Sequence, residues 1–238
     1  SYGSHTLKEI GARNGLHSTH MSSYVSVLRN TEFVDRIVPV TQREQKSRLG
    51  RYVVIDPYLR FYYRFLSSYQ SKLAMGQQDE LLQSIENNLP EFIESNTWRE
   101  LCHEWLLRAS MRNEIPVPID AVGGEWKRNF EIDVVGISEE ESSLVLGVTL
   151  WRDGHADIDQ IADLVRNTSN VISKAEKWRV YYLGFSANGW TEDAHARADA
   201  VVKSEYKGRA KENWEYVGIR LLDLQDVDRD LSRWTETV

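Results

Sequence analysis

Two short helical patterns open the chain and are separated by a glycine. In TLKEIGARNGL, Leu7 and Ile10 stand at helical spacing, and Gly15 follows as a left-handed cap. The next stretch, STHMSSYVSVLRN, has Ser18 or Thr19 as its predicted N-cap. Its apolar residues recur on one helical face: Met21, Tyr24, Val25 and Leu28. Two short helices around a tight glycine turn predict a helix-turn-helix.

Two β-rich runs follow the second helix, with a polar loop between them. The runs FVDRIVPVTQ and GRYVVID are rich in β-branched residues, and the loop REQKSRLG between them is basic. Such a loop is typical of the wing of a winged helix, so we predict a winged helix-turn-helix at the start of the chain.

A winged helix that binds DNA places its second helix in the major groove and its wing along phosphates. The sequence offers polar or basic residues for both positions. The candidate nucleic-acid-binding residues are Ser22, Ser23, Ser26 and Arg29 on the helix, and Arg43, Lys46, Arg48 and Arg51 on or beside the wing. Two alternatives stay open, because winged helices also dock proteins and a basic loop is commonly just solvated.

Aromatic residues dominate the middle of the chain. In DPYLRFYYRFLSSYQSKLAMG they recur at helical spacing after Pro57, which predicts one helix whose aromatic stripe is packed rather than stacked on bases. Gly76 follows as a domain boundary, so we predict domains over residues 1–75 and 76–238. The run ELLQSIENNL predicts an acidic amphipathic helix that ends before Pro90.

The remaining chain alternates helical and strand patterns. Apolar residues at helical spacing predict a helix from Asn96 toward Asn113: Trp98, Leu101, Cys102, Trp105, Leu106 and Ala109. Three strands, a helix, a strand, a helix, a strand and a short helix follow. This order predicts an α/β fold of mixed α+β character, in which helices flank a sheet with strands covered on both faces.

Charge is distributed unevenly along the chain. Through residue 72 there are eleven basic and five acidic residues, a balance of +6, which leaves −13 for the remainder of a chain whose net charge is −7. The single cysteine, Cys102, excludes an internal disulfide and is expected to be packed. No apolar run reaches membrane-spanning length and no leader pattern opens the chain, so we expect a cytoplasmic protein. The opening SYGSH lacks a methionine, and we interpret the chain as part of a longer protein.

Several stretches together resemble one family. They are the helix-turn-helix run above, GRYVVIDPYLRFYYRF, VGGEW, EIDVVGI and YYLGFSANGWTEDA. In this order they resemble the C-terminal region of archaeal and bacterial P-loop ATPases of the AAA+ type. The resemblance implies a winged helix followed by a restriction-endonuclease-like domain of the PD-(D/E)xK type, with an upstream ATPase domain as partner. Nothing here matches the phosphate-binding loop of such ATPases, so no ATP binding is expected of these residues.

Applied residue by residue, the resemblance implies a degenerate nuclease site. Asp133 matches the first metal-binding aspartate of the hairpin NFEIDVVGISEEESSLVLGVTLW, while Val148 and Leu150 stand at the glutamate and lysine positions. Arg99 stands at the glutamate of the helix, although Glu100 lies beside it. One carboxylate cannot hold Mg²⁺ tightly. We therefore predict a pseudo-nuclease with no metal site and no cofactor.

Two readings of function compete. The first is a non-catalytic accessory region of an ATPase, which binds double-stranded DNA or a protein partner through the winged helix. The alternative is an active Mg²⁺-dependent nuclease, in which residues near Asp133 replace the missing pair. The candidates for such relocation are Asp153, Asp157, Asp159, Lys174 and Lys177.

Overall fold

The computed structural model describes residues 5–172, 176–207 and 213–235. The chain divides into two compact units, Ser1–Leu89 and Pro90–Val238. The boundary that the sequence suggests, at Gly76, lies earlier, where this glycine takes a φ of 73°. Each unit is described separately below.

The first unit is mainly helical, with one two-stranded sheet. Its elements are α1 (Leu7–Asn14), α2 (Ser18–Asn30), β1 (Val34–Ile37), β2 (Arg51–Val54), α3 (Pro57–Phe61), a π-helical turn (Tyr62–Leu66), α4 (Gln70–Ala74) and α5 (Asp79–Phe92), whose last turn enters the second unit. Strands β1 and β2 pair antiparallel, as the sequence predicts. The loop between them contains the stretch REQKSRLG, residues 43–50, which the sequence predicts to be a wing and which is called the wing below.

Local side-chain chemistry determines where the first two helices begin and end. Thr6 caps α1 through a capping box with Glu9, and Gly15 ends it with a φ of 64°. Helix α2 begins one residue earlier than predicted, because its N-cap is His17. Met21 and Val25 are buried on the predicted face of α2, but Tyr24 and Leu28 on the same face are exposed.

The aromatic run and the acidic helix both depart from the prediction. The run forms α3, a π turn and α4 instead of one helix, with Asp56 capping α3 through the Leu59 N–H at 2.8 Å. Phe65 is buried, but Tyr58 is exposed. Pro90 lies inside α5 instead of ending it, and the helix continues to Phe92.

The second unit contains a five-stranded sheet between helices. Its elements are a π-helical turn (Ile93–Trp98), α6 (Arg99–Met111), β3 (Ala121–Trp126), β4 (Glu131–Ser138), β5 (Ser143–Leu150), α7 (Asp159–Asn167), β6 (Trp178–Ser186), α8 (Glu192–Lys207), β7 (Trp214–Asp223) and α9 (Leu224–Thr235). The strand order is β3-β4-β5-β6-β7, antiparallel from β3 to β5 and parallel from β5 to β7. The mixed α/β class predicted from the sequence is confirmed.

Alternating side chains cover the two faces of the sheet. On one face, α6 and α9 pack over an apolar core: Trp98, Cys102, Trp105, Leu106, Ala109, Val134, Val145, Leu183, Phe185, Leu222, Val227 and Trp234. On the other face, the Tyr182 hydroxyl lies 2.7 Å from that of Thr168, which follows α7. Cys102 is fully buried, as predicted, and burial raises the pKa of its thiol. Of the residues described, no helix is both long and apolar enough to cross a membrane.

Candidate functional site

The hairpin of β4 and β5 presents Asp133 near the start of α6. Its side chain is 20% exposed. The Arg99 guanidinium, at the first residue of α6, binds it through Nη2 at 2.7 Å from Oδ1, and Nη1 lies 3.1 Å from Oε1 of Glu131. Arg99 therefore neutralises two carboxylates of the first strand of the hairpin. Its neighbour Glu100 is exposed on α6.

The second oxygen of Asp133 is also occupied. Thr149 on β5 donates two hydrogen bonds to Oδ2, from its backbone N–H at 3.2 Å and from its hydroxyl at 3.1 Å. Thr149 is buried. The Asp133 carboxylate thus links the end of β5 to the start of α6, through its hydrogen bonds from Thr149 and its ion pair with Arg99.

His103, one turn along α6 from Arg99, adds a further bond to this cluster. Its Nε2 lies 2.7 Å from the backbone oxygen of Asp133. Because a carbonyl oxygen only accepts, Nε2 carries the proton and donates it. Burial lowers the pKa of His103, opposed by this hydrogen bond, so the ring is held in its neutral form.

The alternation of side chains along β5 decides which of its residues lie on the α6 side of the sheet. Val145 belongs to the core under α6, so Gly147 and Thr149 share its side, while Val148 and Leu150 project to the other face. Val148 is half-buried and Leu150 buried. Of the β5 residues on the α6 side, Gly147 pairs with Val134 and Thr149 bonds to Asp133, and neither supplies a carboxylate or a cation.

Gly147 is also too tightly surrounded to carry a side chain without rearrangement. A Cβ atom at this position would lie 3.0 Å from Cβ of Val134 and 3.5 Å from Cβ of Leu183. Both neighbours belong to the core under α6. The absence of a side chain at Gly147 thus allows close packing of β5 against Val134, the residue after Asp133 on β4.

The chemistry of this cluster does not fit a divalent metal. Mg²⁺ needs several converging anionic oxygens, whereas here a guanidinium stands between the two carboxylates. Across residues 5–172, 176–207 and 213–235, no group of three or more His, Cys, Asp or Glu side chains could hold a metal ion. A further acid, Glu94, accepts the Trp151 N–H at 3.2 Å just beyond β5, which places it in a backbone contact.

Of the residues considered for relocated catalysis, Lys177 lies away from Asp133. Lys177 pairs with Glu215 at 2.8 Å, at the end of the sheet opposite Thr149. Asp157 accepts the N–H of Ile158. Asp153 and Asp159 are exposed, and Lys174 lies outside the described residues.

The first unit holds the candidate nucleic-acid-binding residues. Ser22, Ser23 and Ser26 are exposed on α2, and beside them lies a polar groove of about 400 Å³. The groove is lined by Ser22, Val25, Ser26, Arg29, Asn30, Asp35 and Tyr52. It therefore combines three of the four helix residues singled out from the sequence, together with an acidic side chain.

Arg29 is already bound to acidic side chains within this unit. Its Nη2 lies 2.7 Å from Oε1 of Glu44 in the wing and 3.9 Å from Oδ1 of Asp35. The ion pair joins the wing to α2. A phosphate that recruits Arg29 would have to displace these carboxylates.

The remaining basic candidates are distributed over the wing and β2. Arg43, Lys46 and Arg48 are exposed on the wing, with their charged ends in water. Arg51 is half-buried on β2. The wing therefore presents three exposed cations within six residues of the chain, 43–48.

Arg36 organises the wing, and the sequence reading missed it. From β1 its guanidinium donates to the backbone oxygens of Glu44 at 2.8 Å and Ser47 at 2.7 Å. It lies over Gly50, where an added Cβ would be 2.4 Å from the guanidinium. The glycine immediately before β2, two residues from Tyr52, the register partner of Arg36, is the signal that the sequence carries for this arrangement.

Comparison with known proteins gives two similarities. Residues 62–162 match a family model described as archaeal and bacterial proteins of unknown function. An uncharacterized protein of Methanocaldococcus jannaschii is 26% identical over 153 residues, which cover 64% of this chain and 34% of that protein. The chain thus spans about a third of the length of this relative. No solved structure matches the chain.

Proposed function

We propose that this chain is a non-catalytic accessory region of a longer ATPase of the AAA+ type, located in the cytoplasm. In this proposal, residues of the first unit form a winged helix that binds double-stranded DNA. The second unit is a PD-(D/E)xK-type scaffold that has lost its catalytic pair. The observation that carries the proposal is the Arg99–Asp133 ion pair of 2.7 Å, which puts a cation beside the carboxylate that a catalytic metal would require.

The second unit supports the non-catalytic part through its charge arrangement. Phosphodiester cleavage with a metal requires carboxylates converging on the ion and a group that positions water. Asp133 instead accepts bonds from Thr149 and Arg99, so both of its oxygens are engaged. The alternative, an active nuclease, would need these bonds to break before any ion could bind.

The first unit supports the DNA-binding part through its wing. Arg43, Lys46 and Arg48 are exposed, and Arg36 holds the backbone between them in place. A preorganised loop with three free-standing cations suits phosphate contacts, which fix a protein on the duplex without reading sequence. The resemblance to ATPases and the greater length of the archaeal relative support an upstream partner domain.

A salt titration tests DNA binding. Three phosphate contacts predict a slope of log K against log salt of about −2.7, or roughly 40-fold weaker binding at 200 mM than at 50 mM salt. Fluorescence anisotropy with a labelled generic 25-base-pair duplex measures both values. Reversing the charge of Arg43, Lys46 and Arg48 to glutamate should abolish the binding.

A matched control separates the wing from net charge. Reversing Arg128, Arg152 and Arg197, which are exposed on the second unit, changes the total charge equally and should leave affinity within about twofold. Equal losses in both triple variants, or no binding at 50 mM salt, would refute the DNA-binding part of the proposal.

A separate assay tests the absence of cleavage. Plasmid and single-stranded DNA should remain intact with the protein in Mg²⁺ or Mn²⁺. Nicking that disappears in an Asp133→Ala variant would instead establish the nuclease alternative, because a contaminating enzyme would not respond to that substitution.

A further inference from the structure

The first unit carries a second surface, which differs from the wing. Four large apolar side chains on it are exposed: Tyr24 by 59%, Leu28 by 40%, Phe33 by 50% and Ile55 by 47%. We call this surface the α2–β1 ridge. Most large apolar side chains in a folded unit lose more of their surface than these, so four adjacent ones need an explanation.

Backbone geometry makes the ridge continuous. Tyr24 and Leu28 are four residues apart on α2 and share one helical face. The Phe33 N–H donates to the Leu28 oxygen at 3.0 Å, and the Ile55 N–H donates to the Phe33 oxygen at 3.1 Å. Phe33 and Ile55 extend the antiparallel register of β1 and β2 by one pair. The four side chains therefore follow one another from helix to sheet.

A strained turn holds the middle of the ridge. Glu32 has a φ of 59°, and its N–H donates to the Arg29 oxygen at 3.0 Å. With the bond from Phe33 to Leu28, this is a Schellman motif, which brings these two apolar side chains together. A left-handed conformation is unfavourable for a residue other than glycine. The turn thus presents Phe33 at the surface in a fixed place.

Acidic residues surround the ridge. Of the five acidic residues in the first 72, Glu32, Asp35 and Asp56 adjoin its members in sequence and are all exposed. Asp56 is next to Ile55, and Asp35 follows Phe33 by two positions on β1. The surrounding segment is basic, so the ridge is an acidic region within a basic one. Phosphates of DNA or of anionic lipid would be repelled here.

We propose that the α2–β1 ridge docks an amphipathic segment of a protein partner, with an apolar stripe flanked by lysine or arginine. The stripe covers the four apolar side chains, and the basic flanks pair with Glu32, Asp35 and Asp56. The four apolar side chains are separated by three steps of about 5 Å each. Their total span is therefore close to the length of about three turns of helix. The four apolar side chains lie outside the wing, so the proposal does not rest on DNA binding.

Peptide binding tests the proposal. The probe is a labelled 18-residue helix with leucine on one face and lysine on the other, compared with a scrambled peptide of equal composition. The full chain should bind the amphipathic peptide at least about tenfold more tightly than the scrambled one. Replacing lysine by glutamate in the probe should abolish binding. Equal binding of the scrambled peptide would overturn the proposal.

Variants locate the binding surface. The double substitution Phe33→Ser with Ile55→Ser should weaken peptide binding about tenfold, as expected when two anchor side chains are lost. Leu82→Ser with Met111→Ser removes two apolar groups elsewhere that are exposed by 53% and 73%, and it should have no effect. Circular dichroism checks that each variant folds. Equal weakening by both pairs would show that the peptide adheres non-specifically and would overturn the assignment.

A charge variant keeps the test decisive if the apolar variant fails to fold. Glu32→Gln with Asp35→Asn should weaken peptide binding several-fold and flatten its dependence on salt. The same double variant should bind duplex DNA no more weakly than the wild type does. If anionic vesicles instead compete with the peptide, the ridge binds membranes and the protein-docking proposal is wrong.

Discussion

Loss of the Arg99 guanidinium should destabilise the second unit through the two carboxylates that it neutralises. The substitution Arg99→Met keeps much of the side-chain volume and removes the contacts of 2.7 Å to Asp133 and 3.1 Å to Glu131. The Asp133 side chain, which is 20% exposed with Arg99 in place, would still accept the bond from Thr149 but would have no cation beside it. We expect a lower free energy of unfolding, because a half-buried charge would be left uncompensated.

The magnitude follows from the degree of burial. Exposed ion pairs contribute at most about 1 kcal/mol, whereas removing one partner of a buried pair costs about 3–5 kcal/mol. Side-chain exposures of 32% for Arg99 and 20% for Asp133 lie between these cases. We therefore expect Arg99→Met to cost about 2 kcal/mol. Asp133→Asn in the same background should recover part of that loss, because it removes the unpaired charge.

A double-mutant cycle measures this coupling directly. Urea unfolding of the wild type, Arg99→Met, Asp133→Asn and the double variant is followed by tryptophan fluorescence at pH 7. The pair Arg197–Asp193 is the control, since its atoms lie 2.8 Å apart but its side chains are 61% and 57% exposed. The control coupling should be about 0.3–0.5 kcal/mol. A coupling for Arg99 and Asp133 no larger than this would refute the view that the guanidinium is a structural counter-ion.

Three further predictions concern the wing and the buried histidine. Gly50→Ala should displace the Arg36 guanidinium, which lies 2.4 Å from the added Cβ, and trypsin should then cleave the wing faster than in the wild type. Glu44→Gln should release Arg29 from its 2.7 Å ion pair and raise affinity for duplex DNA about threefold at 50 mM salt; unchanged affinity would exclude Arg29 from the interface. Burial lowers the folded-state pKa of His103, so the unfolded chain binds more protons as pH falls below 6.5 and stability declines. His103→Gln should reduce that decline between pH 7.5 and 5.5 in urea unfolding, whereas an identical decline would contradict the buried neutral ring.

Local sequence rules were sufficient for the elements that depend on neighbouring residues. The end of α1 at Gly15 and the pairing of β1 with β2 follow from residue types within a few positions of each other. The order of helices and strands in the second unit also followed from periodicity. The π turn after α3 could not be predicted, because propensity does not distinguish a π turn from an α-helix. The continuation of α5 through Pro90 was not predicted either.

The phase of β5 could not be read from its sequence. The strand is apolar almost throughout, because both of its faces are covered, so no polar alternation shows which residues point to α6. Only the packing of Val145 beneath α6 places Gly147 and Thr149 on that side. The assignment of Val148 and Leu150 to the catalytic positions therefore stays a prediction, and the β5 residue that bonds to Asp133 is Thr149.

Contacts between distant residues were equally hidden. The family resemblance placed Arg99 near the site but gave no sign that its guanidinium would bind two acids on β4. Likewise, nothing local to Arg36 indicates that it orders a loop up to eleven positions away. Such contacts depend on how the backbone returns in space, and a single sequence does not record that.

Gly147 restricts which side chains the α6 side of β5 can carry. A Cβ added there would lie 3.0 Å from Cβ of Val134, so Val134 would have to shift before a larger residue could be accommodated. A substitution at Gly147 therefore disturbs the contact between β4 and β5 whatever chemistry the new side chain brings. For this reason packing alone favours glycine at this position, independently of any catalytic role.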